Sequence, residues 1–442
     1  MRFARTPAYL LAAAWLLSFL TAGCSWFEEE KKPLPGERIP VILQDADVAP
    51  DPRIADLRVM LPPPQPNPDW PQAGGYPDHA MHHLAVSANL QRVWAVDAGS
   101  GSSENRRLLT PPVVAEGRVY TMDIDFDVSA FDAQTGNRVW THSLNVPDDD
   151  DEAFGGGLAF AYGRLYVSTG YGALFALSAR DGSVQWQKPL PGPVRGAPTV
   201  SDDRVFVVSI DNQLTVLNAA SGDKLWSHSG LSESAGLLGS GSPAVTAGTV
   251  VVPYSSGELF ALRIENGRPF WSDNLISARG LDAMSSLADI RGNPVVDRGL
   301  VLAISHSGRF VAIDQRTGAR AWERSIAGVE TPWVAGNFVY VLGANGELYC
   351  LTRRDGRIRW VQPLPRWGDP EDKEDRIKWS GPVLAGDRLI VPGSQGEALS
   401  VSPYTGELLG RIELPEGVNL APVVAGGTIY FLTDDGQLIA YR

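Results

Sequence analysis

The chain repeats one short pattern seven times between residues 130 and 410. Each window has eleven residues, with glycine at the seventh position and, in six windows, tryptophan at the eleventh. The windows read AFDAQTGNRVW, ALSARDGSVQW, VLNAASGDKLW, ALRIENGRPFW, AIDQRTGARAW, CLTRRDGRIRW and SVSPYTGELLG. Two alternating apolar runs joined by a polar residue and glycine predict a β-hairpin, because glycine takes the positive φ of the turn without strain. This repeat constrains the fold more than any other feature of the chain.

Two further strand-like runs precede each window, such as PVVAEGRVYTMD before the first. Four short strands in every 38 to 51 residues are typical of a propeller blade and not of a helical solenoid. We expect the tryptophans to lie between neighbouring blades, where the indole N–H can reach a backbone carbonyl. Cys350 occupies the first position of its window, where four other windows have alanine, which predicts a small buried residue.

The two ends of the chain predict how the ring closes. The final run, APVVAGGTIYFLTDDGQLIAYR, supplies three strands and stops at Arg442, where the next window would begin. The run LQRVWAV, from Leu90 to Val96, can supply the missing outer strand, with Trp94 as the displaced tryptophan. We therefore predict an all-β fold, an eight-bladed β-propeller of four-stranded antiparallel blades over residues 84–442, whose last blade is closed by the N-terminal strand.

The first 23 residues have the features of a signal peptide, with positive Arg2 and Arg5 followed by the apolar run YLLAAAWLLSFL. Small residues then lead into Cys24, and this stretch resembles the lipobox of bacterial lipoproteins. The resemblance implies that Cys24 is acylated, and Ser25 after it implies the periplasmic face of the outer membrane. An ordinary cleaved signal, with Cys24 incidental, is the alternative.

Residues 24–83 are rich in proline and charge, as in EEEKKPLPGERIP and LPPPQPNPDWPQ. This composition predicts a disordered tether, because it offers too little apolar surface to offset the loss of chain entropy. Cleavage before Cys24 changes the net charge from −13 to about −15, which argues against nucleic acid and anionic lipid as partners. Membrane attachment is expected through Cys24 alone, and Cys350 then has no partner for an internal disulfide.

Three polar clusters are candidates for sites of chemistry. His79, His82 and His83 have no carboxylate or cysteine at ligand spacing, so a surface cluster is favoured over a metal site. The acidic run at residues 148–152 lacks the spacing of an EF-hand, and we expect a solvated loop there and at residues 366–379. Hydrolase, zinc-protease and P-loop motifs are absent from the sequence. We therefore expect no enzymatic activity, no cofactor and no metal.

The glycine–tryptophan repeat resembles that of the pyrroloquinoline-quinone (PQQ) alcohol dehydrogenases, and DWPQAGGYPDHAM at residues 69–81 resembles their Trp-Pro opening. Membership of that family would imply adjacent cysteines beside the quinone, a calcium site and often a C-x-x-C-H haem segment. The chain has no pair of neighbouring cysteines. A quinoprotein-like enzyme and a ligand-binding periplasmic propeller remain as alternatives.

The lipobox, the tether and the predicted eight-bladed ring together resemble the BamB-type lipoproteins of the outer-membrane β-barrel assembly machine. The resemblance covers residues 87–442. It implies a non-enzymatic scaffold that binds the POTRA domains of BamA and other subunits of the machine, and that aids the folding and insertion of outer-membrane β-barrels. A weaker implication is that an exposed blade edge pairs with unfolded outer-membrane proteins.

Two loops carry the part of this resemblance that concerns partners. In SAGLLGSGSPAV, Leu237 matches the second leucine of the family's Leu-x-Leu-Arg pattern, and Leu238 replaces the arginine. In LADIRGNPVV, Asp289 matches the first carboxylate of an Asp-x-Asp pair, and Arg291 replaces the second. The resemblance implies that these four residues contact BamA. The alternative is that both are ordinary inter-blade loops.

Overall fold

The computed structural model describes four stretches of the chain: residues 48–144, 153–233, 236–277 and 287–442. Cys24, the part of the predicted tether before residue 48 and the acidic run at residues 148–152 lie outside the described residues. Within those stretches the structure is β-strand and loop, apart from one 3₁₀ turn at Pro52–Ile54.

The described strands form eight four-stranded antiparallel sheets and one short hairpin, so the prediction of eight blades is confirmed. Blades 1 to 4 consist of β2 (Val113–Ala115), β3 (Arg118–Met122), β4 (Asp127–Asp132) and β5 (Arg138–Ser143); β6 (Gly156–Ala161), β7 (Arg164–Thr169), β8 (Ala173–Ser178) and β9 (Val184–Pro189); β10 (Thr199–Ser201), β11 (Arg204–Val208), β12 (Gln213–Asn218) and β13 (Lys224–Ser229); and β14 (Ala244–Thr246), β15 (Thr249–Pro253), β16 (Glu258–Arg263) and β17 (Pro269–Asn274).

Blades 5 to 8 continue the same order, with the hairpin between blades 6 and 7. They consist of β18 (Val295–Asp297), β19 (Leu300–Ile304), β20 (Phe310–Asp314) and β21 (Arg320–Arg324); β22 (Trp333–Ala335), β23 (Phe338–Leu342), β24 (Glu347–Thr352) and β25 (Ile358–Pro363); the hairpin β26 (Trp367–Asp369) and β27 (Glu374–Arg376); β28 (Val383–Ala385), β29 (Arg388–Gly393), β30 (Glu397–Val401) and β31 (Leu408–Glu413); and β32 (Val423–Ala425), β33 (Thr428–Leu432) and β34 (Gln437–Tyr441) with β1 (Arg92–Asp97).

The ring is closed by the two ends of the chain, as the sequence predicts. Strand β1 pairs antiparallel with β34, with Trp94 opposite Ala440, and completes blade 8 as its fourth strand. Gln91 and Arg442 exchange two backbone hydrogen bonds of 2.9 Å that extend this ladder. The first strands of neighbouring blades contact each other, and β2 touches both β6 and β32, so the first strands are innermost. Closure thus leaves β34, the last strand of the chain, paired on both sides.

Each window glycine lies beneath the tryptophan of the preceding blade. A Cβ atom on Gly182, where φ is +76°, would lie 2.7 Å from the Trp140 ring, and the other window glycines are placed in the same way. The indole N–H of Trp140 donates to the Ala179 carbonyl of the next blade at 3.2 Å, and five further window tryptophans make the equivalent bond. The predicted inter-blade position of the tryptophans is confirmed, although the indole N–H of Trp94 is buried and has no partner among the described residues.

Gly410 replaces tryptophan in the seventh window for a structural reason. The tryptophan of each blade covers a glycine in the turn between the third and fourth strands of the next blade. Blade 8 has no such turn, because its third and fourth strands come from the two chain ends. A ring at position 410 would find no glycine to cover, and a Cβ atom there would have no neighbour within 4 Å. The exception in the repeat thus marks the blade next to the closure.

We expect Gly182→Ala to destabilise the fold more than Gly163→Ala. Both glycines have positive φ, +76° and +69°, so each substitution costs about 1–2 kcal/mol in backbone strain. Only the new Cβ at Gly182 meets a ring, since nothing lies within 4 Å of the one at Gly163. Overpacking should add about 1–3 kcal/mol at Gly182. Urea unfolding of both variants measures the difference, and equal losses would mean that the window glycine is required only for its conformation.

The connections between strands fall on two faces of the ring, because the strands of a blade alternate in direction. One face carries the turns between first and second and between third and fourth strands, and we name it the turn face. The other carries the turns between second and third strands and the connections from blade to blade, and we name it the loop face. The side chains on the two faces therefore come from different turns and connections of each blade.

Residues 67–84, which we name the N-terminal belt, run around the inner edge of the turn face. The belt forms hydrogen bonds with every blade, starting at blade 8 and proceeding in order from blade 1 to blade 7. The paired residues are Asn67 with Val424, Trp70 with Val114, Pro71 with Phe160, Gln72 with Val200, Pro77 with Val245, Asp78 with Val296, His82 with Trp333, and Leu84 with Leu384. The belt thus links all eight innermost strands.

The belt also closes the turn-face end of the central channel. Trp70 exchanges two backbone hydrogen bonds with Val114 of blade 1, of 2.7 and 2.9 Å. Its ring, 4% exposed, stacks on Trp333 of blade 6 with 6.1 Å between ring centroids, so the side chain extends across the channel. The side-chain amide of Gln72 bonds both backbone groups of Val200 at 2.9 Å. Among the described residues, the belt and the Trp70 ring thus cover the turn-face end of the channel.

Two predictions about this segment are wrong. The predicted tether does not extend to residue 83, because the belt is packed on the ring. The predicted surface cluster is also wrong for His79 and His83, which are buried. Their Nδ1 atoms pair with the carbonyls of Pro294 and Pro62, at 2.7 and 2.8 Å. The segment is too polar to form a core of its own, but the innermost strands supply partners for its backbone and its few apolar side chains.

His79 should make the stability of the belt depend on pH. Burial lowers the pKa of His79 from 6.5 to about 4 in the folded chain. The unfolded chain binds a proton at His79 more tightly than the folded chain does. The stabilisation that neutral His79 gives to the fold is therefore complete above pH 6.5, and about 3 kcal/mol of it is lost as the pH falls towards 4. We expect His79→Asn to lose less stability than the parent chain between pH 7 and pH 4.5 in urea unfolding. The same pH dependence in both chains would contradict this.

Candidate functional site

The structure brings together the two loops that the sequence associates with partners. Residues 236–239 belong to the connection between blades 3 and 4, and residues 287–291 to the connection between blades 4 and 5. The backbone N–H of Leu237 donates to the Asp289 carboxylate at 2.9 Å. Both connections lie on the loop face. We name Leu237, Leu238, Asp289 and Arg291 the loop patch.

Asp289 forms the buried support of the loop patch. Its side chain is 3% exposed, and burial raises the pKa of its carboxyl group. That rise in pKa is opposed by the hydrogen bond from the Leu237 N–H and by the positive charge of nearby side chains, which are Arg291, His306 and Arg195. A carboxylate held in this way has little surface to offer a partner. Its position indicates that it holds the Leu237 loop in place.

Leu238 and Arg291 form the accessible part of the loop patch. The side chain of Leu238 is 45% exposed, although most leucines of this chain lie in the core. Arg291 is half-buried beside it, and a Cβ atom on Gly239 would lie 3.0 Å from the Arg291 Nε atom. Glycine at 239 thus permits the close approach of the loop to the guanidinium group. The patch presents one apolar and one cationic group next to each other.

A cavity of about 580 Å³ opens on the loop face beside this patch, and we name it the cup. Leu238 and Arg291 line it on one side, and Arg107, Arg376 and Lys378 contribute cationic groups from other connections. Sequence reasoning missed the cup, because its residues come from connections that are far apart in the chain. The only available signal was the density of charge in those connections.

Residues 366–379, predicted as a solvated loop, form part of the cup wall. The tip of the β26–β27 hairpin is exposed, as that prediction requires, but Ile377 and Trp379 after it are buried. Trp379 is buried, and its indole N–H donates to the Pro365 carbonyl at 2.8 Å. The prediction is therefore correct for the charged tip and wrong for the aromatic end, where an apolar ring packs beneath the charges.

Two carboxyl groups line the cup. Burial raises the pKa of Glu330. The nearby Arg291 and a hydrogen bond of 3.1 Å from the Gly381 N–H oppose that rise in pKa. Burial also raises the pKa of Asp434, which accepts a hydrogen bond from the Asn419 amide. Arg107 and Lys378 are close enough to counteract that rise in pKa. The electrostatics of the cup are therefore dominated by its cations.

The residues of the site do not fit the quinone chemistry of the PQQ alcohol dehydrogenases. Cys350 is fully buried in β24, as predicted, and burial raises the pKa of its thiol. The chain has no second cysteine beside it. No three His, Cys, Asp or Glu side chains converge as a metal site within the described stretches. Those same stretches contain no helix long and apolar enough to cross a bilayer.

Comparison with known proteins settles the family. The family model described as "Outer membrane protein assembly factor BamB" matches residues 82–150, 124–362 and 366–442. The chain belongs to the BamB family. The Escherichia coli BamB sequence is 29% identical over 350 residues, covering 78% of this chain and 87% of that protein. The matched segments begin at residue 82, so most of the N-terminal belt precedes the region that the family model matches.

Solved structures agree with the fold. BamB from Moraxella catarrhalis aligns with a TM-score of 0.67 and 19% identity, covering 80% of this chain and all of that one. A quinohemoprotein alcohol dehydrogenase from Comamonas testosteroni aligns with a TM-score of 0.65 and 16% identity, covering 85% of this chain and 80% of that one. Similarity at this level of identity concerns the fold alone. The enzyme and the BamB proteins therefore share an architecture, and the residues of the site must distinguish their functions.

Proposed function

We propose that this chain is the non-enzymatic scaffold subunit of an outer-membrane β-barrel assembly machine. Its loop patch binds a POTRA domain of BamA, and through BamA it meets the other subunits and the unfolded outer-membrane proteins that the machine inserts. The curated relatives in the BamB family are named as assembly factors, which supports this role over an enzymatic one.

One observation carries the proposal. Leu237 and Asp289 are 52 residues apart in the chain, and a 2.9 Å hydrogen bond joins their loops into one surface on the loop face. This surface holds Leu238 exposed beside Arg291. An exposed apolar anchor with a charged neighbour is typical of the centre of a protein–protein interface, where a few residues provide most of the binding energy.

The proposed membrane anchor is acylated Cys24, at the periplasmic face of the outer membrane. The described chain begins at Val48 on the turn face, where the Asp51 N–H donates to the Ile358 carbonyl of blade 6 at 2.8 Å. The intervening segment spans at most about 80 Å when fully extended. Attachment through the turn face leaves the loop patch, on the opposite face, free to bind BamA.

Co-purification from membranes tests the proposed function. The full chain, tagged at its C-terminus, is expressed in its own host and recovered from detergent-solubilised membranes, and we expect BamA among the recovered proteins. Recovery of no subunit of the assembly machine would overturn the proposal. Dye reduction by the purified protein after addition of PQQ and calcium would instead favour a quinoprotein-like enzyme.

A further inference from the structure

The cup lies at the loop-face end of the central channel. At the turn-face end, the Trp70 ring of the belt stacks on Trp333 across the channel. The cup has a volume of about 580 Å³, which is in the size range of ligand pockets. A ligand that enters from the loop face meets the residues of the loop-face connections.

The lining of the cup carries more positive than negative groups, whereas the chain as a whole is acidic. The chain has a net charge of −13, but five cationic side chains and two carboxyl groups line the cup. Four of the cations, Arg107, Arg291, Arg376 and Lys378, form no ion pair with any residue in the described part of the chain. Cations that converge on one cavity and outnumber its carboxyl groups favour an anionic ligand.

The arrangement of these cations favours an extended ligand over a small anion. Arg107 comes from the connection between blades 8 and 1, Arg291 from that between blades 4 and 5, and Lys378 from that between blades 6 and 7. These three connections come from separate parts of the ring, so a ligand with several anionic groups can contact more of these cations than a single small anion can.

Apolar side chains between the cations narrow the class of ligand further. Leu109, Leu238 and Trp367 lie in the same lining. A nucleic acid would present a continuous phosphate backbone, which the acidic surface of the ring repels. A polypeptide can carry both carboxylates and apolar side chains, which matches a lining that contains both cations and apolar groups. We propose that the cup binds an extended acidic segment of a polypeptide that also carries apolar side chains.

This binding goes beyond the scaffold function, because it requires no subunit of the assembly machine. Arg107 and Lys378 are not part of the loop patch. A variant at these two positions can therefore lose peptide binding and still recover BamA from membranes. Failure of the cup proposal and failure of the scaffold proposal are thus separate results.

The test uses a fluorescein-labelled peptide of about eight residues in which glutamate alternates with leucine and tryptophan. The full chain is titrated against it by fluorescence anisotropy. A matched peptide with lysine in place of glutamate is the control ligand. We expect saturable binding of the acidic peptide only, weakened at least tenfold as NaCl rises from about 50 to about 300 mM.

Charge reversal in the cup should weaken this binding at least tenfold. The test variant is the double substitution Arg107→Glu and Lys378→Glu, and Arg376→Glu is a second variant in case the first does not fold. Lys224→Glu, on the outer strand β13, should bind the peptide like the parent chain. Equal binding of both peptides, no saturable binding, or unchanged affinity in the folded cup variants would overturn the proposal.

Discussion

Trp70→Ala is expected to lower the free energy of unfolding by about 3–5 kcal/mol, the usual cost of removing a buried tryptophan side chain. The ring is 4% exposed and stacks on Trp333 at 6.1 Å, so alanine leaves a cavity at the closed end of the channel. The substitution should also loosen the belt, because the Trp70 side chain holds it across the channel to blade 6. Few other single substitutions in this segment should cost as much.

Urea unfolding of the purified chain measures this loss, and Met60→Ala provides the matched control. Met60 lies in the same proline-rich segment but is 74% exposed, so its truncation should change the free energy of unfolding by about 0.5 kcal/mol or less. Hydrogen exchange of the backbone amides in blade 1 should also rise in Trp70→Ala, starting with Val114. If both variants unfold at the same urea concentration, the Trp70 side chain contributes no stability to the fold.

Leu238→Glu is expected to weaken binding of the BamA POTRA domains about 30-fold or more without changing the fold. Leu238 is 45% exposed, so glutamate there can remain solvated in the free protein. In the complex it would bury a charge at the centre of the interface, and residues at such positions contribute about 2 kcal/mol or more. Titration of purified POTRA domains measures the affinity, and thermal unfolding verifies the fold.

Leu409→Glu is the control for this substitution, since Leu409 is 59% exposed but lies on the outer strand of blade 7. It should bind POTRA domains like the parent chain. A Leu238→Glu chain that binds equally well would contradict the placement of the partner on the loop patch. Loss of binding in both variants would indicate a contact surface far wider than this patch.

Asp289 tests whether the loop patch depends on the bond between its two loops. Asp289→Ala removes the acceptor for the Leu237 N–H, whereas Asp289→Asn keeps an oxygen in the same place. If Asp289 acts by positioning, the asparagine variant should retain POTRA binding and the alanine variant should lose it. A direct charge contact with the partner would instead weaken both variants.

The parts of the fold that could be predicted from the sequence are those determined by neighbouring residues. A hairpin depends on a few alternating side chains and a glycine, and seven windows repeat that requirement. The closure by Trp94 was also predictable, because the final blade visibly lacks one strand. The exception at Gly410 could have been read from the same closure, since no window turn follows blade 7.

The candidate site was predictable only in part. The resemblance led to the loops of Leu237 and Asp289, but it did not reveal that Asp289 is buried beneath its neighbour. The cup could not be predicted at all, because Arg107, Arg291 and Lys378 meet only when eight blades are arranged in a ring. A short-range sequence pattern does not predict which connections face one another across a channel.

The sequence by itself determined the blade, the number of blades and the closure of the ring, because each depends on a period that short-range backbone geometry imposes. Only the tertiary structure decided the path of residues 67–84 and their position over the turn-face end of the channel. A proline-rich segment without a core of its own takes its conformation from whatever surface satisfies its backbone groups. Here that surface is the row of innermost strands, which exists only after the ring has closed.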